Sequence, residues 1–430
     1  KATLKLRNFY INNDNRDSDA GSAANKKAGV QSKAEEWGQG FQLDFTSGFT
    51  QGTVGFGIDA IGLLGVKLDS STAKHGNPNG TNYGGSVFPS DGNHAVDDFS
   101  SLGLTAKAKV SQTELRIGTL QPKLPVIVSN DGRMLPQTFQ GGQITSSEFK
   151  DLTFTGGQIE HAKGRNSSNN EGLSIAGANN SITGKFVNKF YYGGVDYKVN
   201  KDLLLQYYYA NREDFYKQNF RGLVHNWAIG PGVLKSDLRY FNSTDDGKNG
   251  HDSAYYTTGD YANSSAGSGK GKVDNNLISG LFLYTVEGHT FGGGYQVSNG
   301  SSDFPFLNQG DGASAYIPTD MQISKFARAG ERTWQARYSY DFAKVGVPGL
   351  TAGAVYLRGD NIDTYNSKNV QTSNGSSEWE RDITVAYVIQ EGTLKNLGFM
   401  WKNAMWRNDI AGQRDQDENR LIVSYSIPLL

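Results

Sequence analysis

The side chains of this 430-residue chain best placed to do chemistry are cations on alternating positions at its two ends, Lys5 and Arg7 near the start and Lys402 and Arg420 near the finish. If the first and last strands of a closed sheet are neighbours, these four share one patch of inner wall. A file of cations there lowers the barrier for an anionic group that sheds part of its hydration, and several weak sites in series still release it. No acid is expected on the inward face of that patch, and like-charge repulsion makes such a cluster a poor fold stabiliser. Further cations on inferred inward faces are Lys107, Lys109, Arg116, Lys235, Arg239 and Arg337. Glu114, Asp237 and Asp341 share those faces, with Asp44, Asp59, Asp196 and Asp382 elsewhere, so many of these cations are expected in structural pairs. The bland reading of them all is solvated wall charge with no selective role.

Other chemistries fit poorly. Six histidines and many Ser and Asp guarantee that some triad can be drawn, but no GxSxG elbow and no HExxH occurs. Cysteine is absent, which removes disulfides, thiolate metal sites and a cysteine nucleophile. Glycine clusters at 193–194 and 292–294 lack the strand-to-helix context of a phosphate loop and suit crowded or bulged strands. GDGAS at 310–314 and DNID at 360–363 offer oxygens to a calcium ion, but neither has EF-hand spacing. No catalytic residue, metal site or cofactor is therefore expected. The net charge of -1 gives no bulk attraction to nucleic acid.

The elements that would position the cations are strands. The chain has 54 Gly, 22 Tyr, 22 Phe and only 10 Pro. Its mean hydropathy is -0.54, and no apolar run approaches the ~18 residues a membrane helix needs. A transmembrane barrel tolerates such polarity, because alternate residues face a wet interior. Segment 102–110 sets Leu102, Leu104, Ala106, Ala108 and Val110 against Gly103, Thr105, Lys107 and Lys109. Trp334, Ala336, Tyr338 and Tyr340 oppose Gln335, Arg337, Ser339 and Asp341, and Leu421, Val423, Tyr425, Ile427 and Leu429 oppose Arg420, Ser424 and Ser426.

Connections alternate between short and long. Short ones are expected near Thr50-Gln51, Val110-Ser111, Ser147-Lys150, Asn200, Gly230-Gly232, Glu287-Gly288, Val345-Gly349 and Glu391-Asn396. Long polar ones are expected at 13–37, 69–98, 120–136, 164–184, 214–219, 244–273, 300–330, 359–377 and 408–416. Eight short and nine long connections imply an all-β fold, an 18-stranded antiparallel transmembrane β-barrel over 1–430 as a single domain, wide enough for an aqueous channel. The chain opens directly into a strand-like segment at Lys1, as an exported protein does after processing. A soluble sandwich or solenoid is the alternative, but charged and small residues line the second face of the strands and no fixed-period repeat appears.

The chain resembles the OprD family of substrate-selective outer-membrane porins, especially its OprE/OprQ-like members. The likeness rests on LKLRNFYINNDNR at 4–16, EEWGQGFQLDFTSGFTQGTVGFGIDAIGLLGVKLD at 35–69 and RIGTLQPKLPVIVSNDGRMLPQTFQGGQITSSEF at 116–149. LKSDLRYF at 234–241, GERTWQARYSYDFAKVGVPGL at 330–350 and DENRLIVSY at 417–425 extend it to nearly the whole length. The resemblance implies an 18-stranded barrel in the bacterial outer membrane, narrowed by inward-folded third and seventh loops, with a row of basic side chains along one wall. The ladder then comprises Lys5, Arg7, Arg116, Arg239, Arg337, Lys402 and Arg420. Met400 and Val355 stand where relatives often carry Arg.

The loop at 120–136 has its own signal: Pro122, Pro125 and Pro136 with apolar Leu124, Val126, Ile127 and Val128 suit inward packing, which offers Asp131 and Arg133 to the interior. The stretch 300–330 is expected to complete the constriction with Asp311, Tyr316, Asp320 and Ser324. The resulting expectation is passive diffusion of small carboxylates or other anions and zwitterions. Alternatives are passage of cationic amino acids or peptides, and an outer-membrane barrel enzyme or adhesin-like scaffold. Partners are solutes in transit and outer-membrane lipids and lipopolysaccharide, not nucleic acid. Monomer and homotrimer both suit the outward residues.

Overall fold

The computed structural model describes residues 1–16, 33–71, 75, 87–92, 94–175, 186–250, 273–308, 314–365, 370–410 and 413–430. Eighteen long strands run through it: β1 Ala2–Asn15, β2 Lys33–Thr46, β3 Gly55–Asp69, β4 Asp98–Val110, β5 Thr113–Leu120, β6 Thr138–Ser146, β7 Leu152–Lys163, β8 Phe190–Lys198 and β9 Leu203–Arg212. The second half comprises β10 Tyr216–Ile229, β11 Gly232–Asp245, β12 Asp274–Val286, β13 His289–Asn299, β14 Arg332–Asp341, β15 Leu350–Tyr365, β16 Gln371–Val388, β17 Gly398–Asn408 and β18 Gln416–Pro428. Each pairs antiparallel with its sequence neighbours. β1 also pairs with β18, from Thr3↔Pro428 to Asn15↔Gln416, which closes the barrel and leaves no open edge.

The period-2 alternation sorts the side chains as its chemistry requires. Leu102 and Leu104 are 72% and 52% exposed on the outer face, whereas Thr105 and Lys107, which follow them on the opposite face, are buried inside. The outer face also carries Trp227, Tyr295, Trp334, Tyr338 and Trp401, all exposed in the isolated barrel, as a membrane-facing surface with interfacial aromatics demands.

All eight short connections fall where the sequence places them. Two of the nine long ones do not. β9 and β10 are joined by 213–215 alone, and β15 and β16 extend to Tyr365 and from Gln371, into the stretch read as a loop. Pairing depends on backbone groups, so polar strands prolong the sheet into water where an apolar alternation is no longer needed. β15 accommodates its extension with register shifts around Gly359–Ile362 and a left-handed Asn361.

Two apolar clusters fill part of the interior. One joins wall residues Phe190, Tyr208, Phe220 and Phe241 to Val126, Ile127, Phe304 and Ile317 of the loops. The other joins Phe9, Ile11, Leu63 and Phe99 of the wall to Val87, Phe88, Met134 and Leu135. These clusters draw 121–137, 300–308 and 314–331 into the barrel.

Candidate functional site

The third and seventh long connections meet inside the barrel. Val128 bridges to Ser314 by a single ladder step, and Asn130 Nδ2 donates to Ser314 Oγ at 2.7 Å. Between these loops and the β14–β18 wall lies a cavity of about 950 Å³. Asp131, Arg133, Asp320, Ser324, Arg337, Asp382, Lys402 and Arg420 are among its lining residues. A second cavity of about 330 Å³ lies under 317–321, against Lys235, Asp237, Arg239, Leu281, Leu283 and Arg337.

The basic side chains differ sharply in what they touch. Lys5 pairs with Asp44 at 2.7 Å. Arg7 pairs with Asp131 at 2.7 Å and donates to the Arg133 carbonyl at 2.7 Å. Arg116 pairs with Asp59 and, at 3.4 Å, with Glu114, near the short-turn rim and away from both cavities. Arg239 grips Asp237 with Nε and Nη2 at 2.9 and 2.8 Å, donates to the Tyr316 carbonyl at 3.1 Å, and stacks 3.9 Å over the Tyr316 ring. Arg337 donates to Gln335 Oε1 at 2.6 Å and to the Pro318 carbonyl. Arg420 donates to Glu418 at 2.6 Å, to the Gly132 carbonyl at 3.0 Å and to the Gln322 carbonyl at 3.1 Å. Lys402 lines the large cavity and makes no hydrogen bond or ion pair among the described residues.

The expected acid-free patch is therefore wrong. Glu418 stands two positions before Arg420, so the same periodicity that turns Arg420 inward turns Glu418 inward with it. Asp44 reaches Lys5 diagonally from the neighbouring strand, since Lys5 is paired with Gln42.

Among the loop residues, Arg133 is the counterpart of Lys402. Its Nε and Nη1 are buried without a hydrogen-bond partner. Asp320 accepts from Lys325 Nζ at 2.8 Å and from the Ala315 N–H at 3.0 Å. Tyr316 packs edge-on to Phe220 behind Arg239. Ser324 is a fastener, its hydroxyl donating to Glu378 at 2.6 Å. Asp311 and most of GDGAS lie outside the described residues. In DNID, Asp360 pairs with Arg358 at 3.0 Å and Asp363 accepts from Gln371 at 2.9 Å.

Asp382, expected on an inward face, belongs to a carboxylate column on β16 whose other members, Glu378 and Glu380, the sequence reading does not include. Glu378, Glu380 and Asp382 alternate on the inward face. The Ser324 and Ile323 N–H groups donate to Glu380 at 2.7 and 2.9 Å, and the Gln322 N–H to Asp382 at 3.2 Å. The acids of SSEWERD stand at i, i+2 and i+4, but the polar stretch 359–377 just before them suits a loop as well as a strand, which hides their shared face. At the loop end, burial and the facing Glu378 carboxylate hold the Glu331 carboxyl well above the usual range, against the Arg328 N–H it accepts at 2.9 Å.

This geometry has known counterparts, and the family model for "outer membrane porin, OprD family" matches residues 1–429. The chain belongs to the OprD family of outer membrane porins. It is 36% identical over 432 residues to the porin-like protein GalP of Pseudomonas putida, covering 100% of this chain and 92% of that one. The crystal structure of Pseudomonas aeruginosa OccK8 (OprE) superposes with a TM-score of 0.84 at 57% identity, covering 100% and 98% of the two chains. That of Pseudomonas aeruginosa OpdK with vanillate gives 0.82 at 33% identity, covering 99% and 98%. This OprD-family member is thus a closed 18-stranded barrel of the outer membrane and a channel, not an enzyme.

Proposed function

We propose that this porin gives passive, selective diffusion to small carboxylates and to other small anions and zwitterions. The observation that carries the reading is the pair of uncommitted cations in the constriction, Lys402 from the wall and Arg133 from the third loop. Seven basic side chains against four carboxylates line the large cavity among the described residues. In a narrow passage between low-dielectric walls such an excess raises the local anion concentration. The vanillate in the OpdK structure is itself a carboxylate. On the outward face the reading extends to outer-membrane lipid and lipopolysaccharide. A homotrimer formed through that face would give crosslinked species of two and three barrels in the membrane.

The test is solute flux into liposomes carrying the protein, comparing an aromatic carboxylate with an aromatic amine of the same size. Faster entry of the carboxylate supports the proposal. Faster entry of the amine would replace it with the cationic-solute reading, in which the loop aspartates dominate.

A further inference from the structure

Four inward arginines spend their donors on loop backbone rather than on open lumen. Arg7 donates to the Arg133 carbonyl, Arg239 to Tyr316, Arg337 to Pro318, and Arg420 to both Gly132 and Gln322. We propose that these arginines are positioning residues which staple the third and seventh loops to the wall and so set the bore of the constriction. Solute-facing charge is left to Lys402 and Arg133.

Three observations converge on this assignment. First, each guanidinium is aimed. In DLR at 237–239, QAR at 335–337 and ENR at 418–420, an acceptor two residues earlier on the same face grips Nε, which turns the far edge toward a loop. Arg7 is held differently, its Nη1 and Nη2 both donating to the Asp131 carboxylate of the third loop itself. Second, the carbonyls they meet belong to segments with almost no ladder of their own, so these groups need outside donors. Third, Arg420 is 6% exposed and its three donating nitrogens go to three different segments. A residue kept as a stepping stone for solute would hold donors free. The planar fork of Arg suits this work and the point charge of Lys does not.

The inference holds whatever solute passes, so its failure and that of the carboxylate reading are separable. The decisive comparison is charge-preserving, made with purified protein in planar bilayers. Barrels are checked first for folding by heat-dependent gel mobility. As staples, Arg420→Lys and Arg337→Lys each raise single-channel conductance about 1.5-fold or more, with added open-channel noise, because a loosened loop widens the constriction. Arg420→Gln does the same. Lys402→Arg behaves as wild type, and Lys402→Gln moves the reversal potential toward cations with no added noise. Wild-type conductance and noise in both Arg→Lys variants, together with an Arg420→Gln that merely repeats Lys402→Gln, would overturn the proposal and make these arginines rungs. If Arg420→Lys does not fold, Arg337→Lys and Arg239→Lys decide in the same way, since each loosens the seventh loop at a single residue, Pro318 or Tyr316.

Discussion

Lys402 and Arg420 sit opposite each other on adjacent strands, yet one is free and the other is held on three sides, so charge and bore are controlled by different residues. A unit charge about 8 Å from a passing anion in water is worth roughly 0.5 kcal/mol, or about twofold in local concentration. Replacing Lys402 and Arg133 together by Gln is therefore expected to lower carboxylate flux several-fold and shift the reversal potential toward cations, each single change doing less. Neutralising Lys107 is expected to leave both unchanged, because it pairs with Asp59 at 2.7 Å and turns to the Ser47 carbonyl near the short-turn rim. A second residue-scale expectation concerns Glu331. Its raised folded-state value means that its contribution to anchoring the seventh loop is fully present below the ordinary glutamate range and is lost as pH rises through the elevated value. Current noise should thus grow on alkalinisation, and Glu331→Gln, which cannot ionise, should flatten that dependence. Equal pH-dependent noise in the two proteins would show that Glu331 is not the titrating anchor.

At the scale of elements, the third loop is seated by shape. A Cβ on Gly38 would lie 2.6 Å from Met134 Sδ and 2.7 Å from a Phe88 ring carbon. Gly38→Val should overpack that seat, at a cost of about 1–3 kcal/mol, and make 121–137 more open to protease without unfolding the barrel. Shortening 122–135 should raise conductance and weaken selectivity; unchanged conductance in folded protein would remove that loop from the constriction. How much of this was legible follows from what sets each feature. The eight short turns, the outward faces and the apolar third loop were readable because alternation and solvent demand write them locally. The extension of β15 and β16 was not, since polar strands above the membrane look like loop. Glu418 is legible from the same alternation, being two residues from Arg420 on one face. The carbonyl partners of Arg239 and Arg337 were not, because loop conformation is decided by tertiary packing, although the acceptor-x-Arg spacing in DLR, QAR and ENR was in plain view.

For the whole molecule, closure of β1 on β18 turns two distant chain ends into one wall, and the net charge of -1 hides an inward bias toward cations at the constriction. Because the screening length is about 8 Å at physiological ionic strength, selectivity produced by two free cations in a narrow passage must be strongest at low salt and fade as salt rises. The most direct test is the reversal potential of the wild-type channel in a planar bilayer under a potassium chloride gradient, first dilute and then concentrated. The result expected is anion preference in dilute salt that diminishes in concentrated salt; cation preference in dilute salt would contradict the account.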